Sequence, residues 1–495
     1  MIKMKKKALY KDIQREIRKS YGRFFSIMAL IMLGVAFFVG LKAVGPDMKS
    51  TATHYFNTYH LADLEVQSTL GLDESDRLLL EQVKDVKEVE LGYCFDALLQ
   101  DSNLVTKVYS LSEINTYQMK DGRLPSQSGE VAIDENLLKS KEYAIGDKIS
   151  FVQNDGNAFT DTFRQDTYTI VGIVSSPKYI EKDKRGSSTF GNGVVDGFAV
   201  ISESDFESDV FTLAMMTFEN TEGLETYSTA YEEKMDQNVE AVEKAVIGQP
   251  IKKLNDLQEE IEAEIAQAEA ELEDGKQELV KQEQQLLEIK QQIEEAKAQY
   301  EALQANGLEQ QAMLMKAQVD ESEAEYKSNA TLFQEEKKKA EQELRDAEAE
   351  IAVTKEDVVA LEEPVYYVMD RTNNPGYAEY RDNANRLTSM ATVFPVLFFL
   401  VAILVCLTTM TRMVEEQRTQ IGLLKALGYR QYDIMAKFLL YGSLAGIIGA
   451  GIGLVIGFEF LPRFIFDAYG SMYDFADLKI VYYPKSFALQ TIWEE

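Results

Sequence analysis

Cysteine and histidine are nearly missing from this chain of 495 residues, which holds two of each. The thiols are Cys94 and Cys406, and Cys406 falls inside a long apolar run, so a disulfide between them is implausible. The imidazoles are His54 and His60, which read as ordinary surface residues and leave no His/Cys metal site to expect. No Gly-x-x-x-x-Gly-Lys-[Ser/Thr] loop occurs, so the usual phosphate cradle for ATP is lacking. No nucleophile–base arrangement is evident either. The chain is therefore expected not to be an enzyme by itself, with no catalytic residue, no metal and no cofactor assigned. Positive charge is scarce: 51 Lys and Arg stand against 82 Asp and Glu, a net charge of −31. That excludes nucleic acid as a partner, because binding phosphates needs a basic face. Much of the acidity falls in residues 255–363, a stretch with no proline up to Pro364 and with glycine only at Gly275 and Gly307.

What the chain does have is apolar length. Residues 390–410 and 438–458 carry no charged side chain, and residues 24–41 run apolar after a basic arm. Each is long enough to cross a hydrocarbon core, which takes roughly 20 apolar residues as a helix. Basic residues cluster at Lys3, Lys5, Lys6, Lys7, Lys11, Arg15, Arg18, Lys19 and Arg23, and again at Arg412, Arg418, Lys425, Arg430 and Lys437. Retention of Lys and Arg on the inner face puts both clusters in the cytoplasm. The expected order is a cytoplasmic basic segment (1–23), a first span (24–44) retained as a signal anchor, and a large extracytoplasmic part. A second span (389–411), a cytoplasmic loop (412–437), a third span (438–461) and an outer segment (462–495) follow. The chain is thus read as a multi-pass cell-membrane protein with its N-terminus inside. The basic arm is expected to lie as an amphipathic helix on anionic membrane lipids of the inner leaflet.

Residues 45–250 read as an α/β core domain, with strands over 63–67, 130–133, 149–152, 168–174 and 197–201. Gly122 and Gly172 are turn or close-packing glycines. Residues 251–362 then show heptads. One seam runs Leu254, Ile261, Ala268, Gly275, Gln282, Ile289; its partner runs Ile265, Leu272, Leu279, Leu286, Ile293. Asn306-Gly307 interrupts them with a turn, and a second arm resumes through Leu308, Met315, Ser322 and through Val319, Tyr326, Phe333. Two arms of similar length around one turn predict a long antiparallel coiled-coil hairpin of roughly 80 Å. Its tip, Asn306 and Gly307, is the expected contact for an outer partner. Residues 363–388 are read as a return strand (364–371), a turn at Asn374-Pro375-Gly376-Tyr377 and a linker to the membrane, which makes the core discontinuous. Pro395 either kinks or starts the second span. In the third span Gly442, Gly446, Gly449, Gly453 and Gly457 are packing glycines, since small residues let helices approach closely in lipid.

The loop between the last two spans carries the most specific signal. Gln420 to Tyr429 reads as a short amphipathic helix with Ile421, Leu424 and Leu427 on one face and Gly428 as its left-handed cap. Residues 416–429, Glu-Gln-Arg-Thr-Gln-Ile-Gly-Leu-Leu-Lys-Ala-Leu-Gly-Tyr, strongly resemble the signature loop of the FtsX-like permeases, the membrane subunits of MacB-type ABC transporters. Residues 119–125, 129–133 and 168–174 resemble the extracytoplasmic core of the same permeases, and 364–371 with 394–399 resemble the subgroup bearing hairpins. The resemblance implies an α+β membrane protein with a MacB-like core. It also implies that Arg418, Ile421, Gly422, Leu424, Lys425, Leu427, Gly428 and Tyr429 couple to a cytoplasmic ABC ATPase subunit, which binds the ATP. A second permease copy or module is a further implied partner. Such proteins export or extract lipids or peptides, or signal mechanically across the membrane. A regulator acting on a cell-wall hydrolase through the hairpin, and a passive coiled-coil scaffold, are the alternatives. The family module has four spans where three are evident here, and residues 486–492 read as the start of a fourth. The chain is thus expected to be a truncated piece of a longer permease, or to have lost that span.

Overall fold

The computed structural model describes residues 7–100, 102–154, 156–159, 162–475 and 478–480, so the reading of 486–492 as a further span lies outside the described residues. The chain divides into two units. One takes it as far as Val246 and again from Tyr366, and the other is Ile247–Val365.

The first unit begins with α1 (Lys7–Lys19) and α2 (Tyr21–Thr58). At 1.5 Å per residue the 38 residues of α2 reach ~57 Å, well beyond a hydrocarbon core of roughly 30 Å. The expected span 24–44 is therefore only its first part. The helix continues through Pro46, and its last turns bury Met48, Ala52, Tyr55 and Phe56.

A β-rich domain follows: β1 (Leu64–Ser68), α3 (Glu74–Glu81), β2 (Val86–Gly92), β3 (Cys94–Leu99), β4 (Val105–Ser110), β5 (Gln118–Gly122), β6 (Glu130–Asp134), α4 (Glu135–Lys141), β7 (Lys148–Val152), β8 (Thr167–Ser175), β9 (Gly197–Ile201), β10 (Leu213–Phe218) and α5 (Thr229–Val246). After the second unit the chain returns as β11 (Tyr366–Asp370) and pairs antiparallel with β1, Leu64 opposite Asp370 and Ser68 opposite Tyr366. Four strands in the order β11-β1-β10-β2 form one sheet. Seven in the order β5-β8-β6-β9-β4-β3-β7 form the other, which closes on itself where β7 also pairs with β8. Its interior holds Phe151, Phe163, Tyr168, Ile170 and Phe206, while the smaller sheet packs Leu64, Val66 and Met216 against Leu80 of α3 and Met235 of α5. β8 alternates inward and outward residues, as its β-branched run predicts. By contrast, β2 carries Lys87, Glu88 and Glu90, and β10 is built on Ala214, Met215 and Met216. Neither shows a β-branched pattern, and pairing decides both. Gly122 lies opposite Gly172 in register, and a Cβ on Gly172 would stand 2.2 Å from the Arg123 carbonyl oxygen.

The second unit is two helices, α6 (Gln249–Ala305) and α7 (Glu309–Ala360), joined through Gly307 at φ +72. Ion pairs Glu269–Lys355, Lys276–Glu348, Glu283–Lys337 and Lys297–Glu323 cross between them. As the first partner climbs from 269 to 297 the second falls from 355 to 323, so the helices run in opposite directions. Ile265, Ile293, Val319, Phe333 and Val358 are buried between them. Gln282 and Ser322 depart from the expected seam and are exposed, and Ile289 is 45% exposed. Their neighbours Glu283 and Glu323 reach across to the other helix instead and meet Lys337 and Lys297. A helix near 3.6 residues per turn drifts ~20° per heptad, so a strict count of seven loses the inner face after a few repeats.

Four further helices complete the first unit: α8 (Pro375–Glu416), α9 (Arg418–Ala426), α10 (Gln431–Glu459) and α11 (Leu461–Tyr469). The expected turn at Asn374-Pro375-Gly376-Tyr377 is a helix start. The Asn374 carboxamide oxygen accepts from the backbone N–H groups of Gly376 (3.0 Å) and Tyr377 (3.4 Å), and Pro375 occupies the first turn. Most of the expected linker is thus α8 itself, and Pro395 lies buried inside it. Among the described residues Tyr21–Thr58, Pro375–Glu416 and Gln431–Tyr469 are long and apolar enough to cross a membrane.

α2 packs on both partners. Phe37 stacks on Phe398 of α8 with ring centres 5.1 Å apart. Against α10 the contact is backbone on backbone. A Cβ at Gly449, Gly453 or Gly457 would fall 2.5, 2.6 or 2.7 Å from the carbonyl oxygens of Met28, Met32 and Ala36. Gly442 and Gly446 stand off, their nearest neighbours being side-chain tips of Met410 and Ile31 at 3.8 and 3.5 Å. Gly453→Leu should therefore force α2 and α10 apart and lower the melting temperature of the detergent-solubilised protein. Gly442→Leu should leave it nearly unchanged, and equal losses would show that the contact does not govern stability.

Candidate functional site

The short helix α9 hangs between α8 and α10. Helix α8 ends at Glu416, Gln417 alone separates it from α9, and Gly428 closes α9 with φ +87. That left-handed residue lets the Gly428 N–H reach the Lys425 carbonyl and the Tyr429 N–H reach that of Leu424. The nine residues show two apolar faces. Ile421 and Leu424, with Tyr429 beyond the cap, turn inward onto a cluster of Phe24, Met28, Met413, Ile434, Phe438 and Tyr441. Leu427 does not share that face. It is 67% exposed, and Leu423, which the sequence reading passed over, is 63% exposed. Arg418, Gly422 and Lys425 are exposed as well. The expected single face of Ile421, Leu424 and Leu427 is thus split: the first two anchor α9 to its own bundle, and Leu423 and Leu427 point away from it.

A polar network beneath α9 had no local signal in the sequence. Lys437, 5% exposed on α10, donates to Glu16 of α1 (3.3 Å) and to the side-chain oxygen of Gln417 (3.4 Å), and the Gln417 amide donates to Glu16. Arg23 pairs with Glu416, and the Ser20 and Tyr441 hydroxyls lie 3.1 Å apart. The residue at the α8–α9 break is therefore held jointly by α1 and α10. A buried ammonium is costly unless paired and hydrogen-bonded, so these partners determine one arrangement.

At the far end of the bundle a second junction joins the helices to the β-rich domain. Residues 178–185 receive several of the contacts. The Asn374 amide donates to the Lys178 carbonyl, and Lys184 pairs with Glu379 of α8 at 2.7 Å. Beyond α11, Met472 accepts from the Lys182 N–H (2.8 Å), and the Asp474 N–H donates to Ile180 (2.7 Å). Asp474 also pairs with Lys120 of β5 at 3.0 Å. Tyr55, Phe56, Tyr227, Tyr377, Tyr380 and Tyr473 fill the space between as one aromatic cluster. Arg185, buried, pairs with Asp134 at 3.1 Å, and burial pushes the Asp134 carboxyl up to about 6 against the pull of Arg185.

Two family descriptions match this chain. Residues 24–249 match the MacB-like periplasmic core domain, and residues 392–492 match the FtsX-like permease C-terminal domain. Neither match reaches the helix pair α6–α7 beyond its first residue. No curated protein matches. The solved extracellular domain of the noncanonic ABC-type transporter YknZ from Gram-positive bacteria is similar over 36% of this chain and 93% of its own, at 9% identity and a TM-score of 0.21. So low a score carries no argument.

The buried network yields a direct expectation. Lys437→Met withdraws the cation from Glu16 and should cost about 3–5 kcal/mol, read as a lower melting temperature. Adding Glu16→Gln should restore most of the loss. If the double variant melts no higher than the single, the pair is not what holds α1 to α10.

Proposed function

This chain is an FtsX-like permease with a MacB-like periplasmic core domain, and from that premise we propose that it is the membrane subunit through which a separate ABC ATPase acts across the bilayer. The N-terminus and α9 lie in the cytoplasm; the β-rich domain and the helix pair lie outside. The two basic clusters around α1 and α9 support this orientation.

One observation carries the reading. A helix that merely closed a loop would turn its leucines to the bundle or exchange them for polar residues. α9 instead exposes Leu423 and Leu427 beside Arg418 and Lys425. That is the composition of an interface core with a basic rim. The ATPase docks there, and its ATP-driven closure tilts α9. Helices α8 and α10 carry the motion to the 178–185 segment, and the β-rich domain moves with it. The work done is export or extraction of a lipid or peptide, or mechanical signalling. The nucleotide chemistry belongs to the partner.

The helix pair favours a second reading, because the two family matches leave it aside. As an antiparallel coiled coil with its tip at Asn306-Gly307, it reaches an extracytoplasmic partner such as a cell-wall hydrolase. On this reading the chain regulates that enzyme and transports nothing.

Leu423→Asp or Leu427→Asp should abolish copurification of the ATPase while leaving membrane insertion intact, since a charge would be buried unpaired at the contact. Leu424→Asp should instead destabilise the permease itself. ATPase recovery unchanged in the Leu423 and Leu427 variants would refute docking on this face.

Removal of the helix pair separates the two readings. Val246 belongs to the same apolar cluster as Tyr366 and Val368, so replacing residues 251–362 by a short Gly/Ser linker should leave the first unit folded. A regulator then keeps ATPase activity and loses its cell-wall phenotype; an exporter loses part of its transport. If every phenotype survives the deletion, the pair has no partner.

A further inference from the structure

The outward face of α1 is the strongest charged surface outside the sites described so far. Lys11, Arg15, Arg18 and Lys19 are all exposed, and their spacing of four, three and one puts them on one side of the helix. The opposite side is committed inward. Glu16 is held by Lys437 and Gln417, Ile17 packs on the cluster beneath α9, and the Ser20 hydroxyl meets Tyr441. Glu16 thus spends its charge inside the protein and cannot neutralise the outer face. The cationic face stands out in a chain whose net charge is −31.

Position identifies the occupant. One residue separates α1 from α2, whose apolar run begins at Phe24, and Tyr21 and Phe25, 60% and 54% exposed, flank that entry. Exposed aromatic rings of this kind sit at headgroup level. Guanidinium groups beside them match phosphate oxygens in bidentate geometry, and an anionic leaflet attracts such residues.

We propose that the outward face of α1 binds the phosphate headgroups of anionic phospholipids, and that through Glu16, Gln417 and Lys437 this binding steadies the α8–α9 break on which the ATPase acts. The lipid contact rests on the orientation given under Proposed function, and its effect on coupling rests on the docking reading there.

The test uses the full chain in uncharged detergent, followed by native mass spectrometry with phosphatidylglycerol or phosphatidylcholine of the same acyl chains. The wild type should retain phosphatidylglycerol preferentially. Changing Lys11, Arg15, Arg18 and Lys19 together to Gln should reduce that preference on the order of tenfold. Lys11→Arg with Lys19→Arg should keep it, and glycerol phosphate should not compete. An unchanged preference in the Gln variant, or displacement by glycerol phosphate, overturns the assignment. So does a Gln variant that loses the ATPase and keeps its lipid, for the face would then be a protein contact. For coupling, Glu16→Gln should retain lipid but remove the phosphatidylglycerol dependence of ATPase activity in the reassembled complex; persistence of that dependence overturns the link. Lipid retention is read without the ATPase, so failure of docking at Leu423 and Leu427 would leave it intact.

Discussion

In a bilayer, apolar side chains gain little by leaving lipid for one another, so α2 and α10 are joined by close approach of backbone rather than by hydrophobicity. Gly449, Gly453 and Gly457 present that surface, one per helical turn, and no side chain fits between them and Met28, Met32 and Ala36. The rest of the first unit is built outward from this contact. α8 packs mainly on α2 through Phe37, Phe38, Phe398 and Phe399, so α2 is the member both other helices share. α9, suspended between α8 and α10, is therefore referred to α2 whichever of its flanking helices is displaced.

The two ends of this contact are finished differently. Near α9 the fastening is ionic: Lys437, Glu16 and Gln417 bring three distant stretches of chain to one buried point. Charges that must be satisfied together tolerate few alternative arrangements, and a tilt of α9 exchanges one complete set of bonds for another or leaves a charge unmet. At the β-rich domain the fastening is aromatic, with ring against ring from Tyr227 to Tyr377 at 4.4 Å and from Tyr380 to Phe475 at 4.6 Å. Packed rings resist compression and transmit displacement with little loss. One end is suited to switching and the other to following.

The three long helices were legible because membrane-crossing length is written in composition, and β8 because its β-branched alternation is local. The break at Gly428 was legible too, since a left-handed residue after an apolar helix wants glycine. Other features need the folded neighbour. Four of the nine α9 positions available to read as apolar contacts, with Leu427 beyond them, allow two inward faces. Only the placement of Phe24 and Tyr441 selects Ile421 and Leu424. Gly442 and Gly453 are the same residue eleven positions apart, yet only the second meets a backbone, because α2 and α10 come close over part of their length. Asn374-Pro375 is a turn pair and a helix-start pair alike, and the residues that follow decide between them. The Glu16–Lys437 pair spans most of the chain and leaves no mark on either neighbourhood.

The return of β11 to β1 has a consequence for biogenesis. The outer edge of the smaller sheet joins residues 64–68 to residues 366–370, so this sheet stays incomplete until some three hundred further residues have been made. A pairing of such high contact order is slow if the intervening chain is a random coil, because loop closure must be met before any strand contact rewards it. The inserted helices change that problem. The hydrogen bonds within each helix are local, so each helix forms quickly, and opposite running directions bring the chain back toward where it left. On emerging from synthesis, α6 and α7 shorten the effective loop ahead of β11. An insertion that lengthens the polypeptide thereby spares the strand it precedes a long search, and leaves β1 exposed as an unpaired edge only for as long as two helices take to fold.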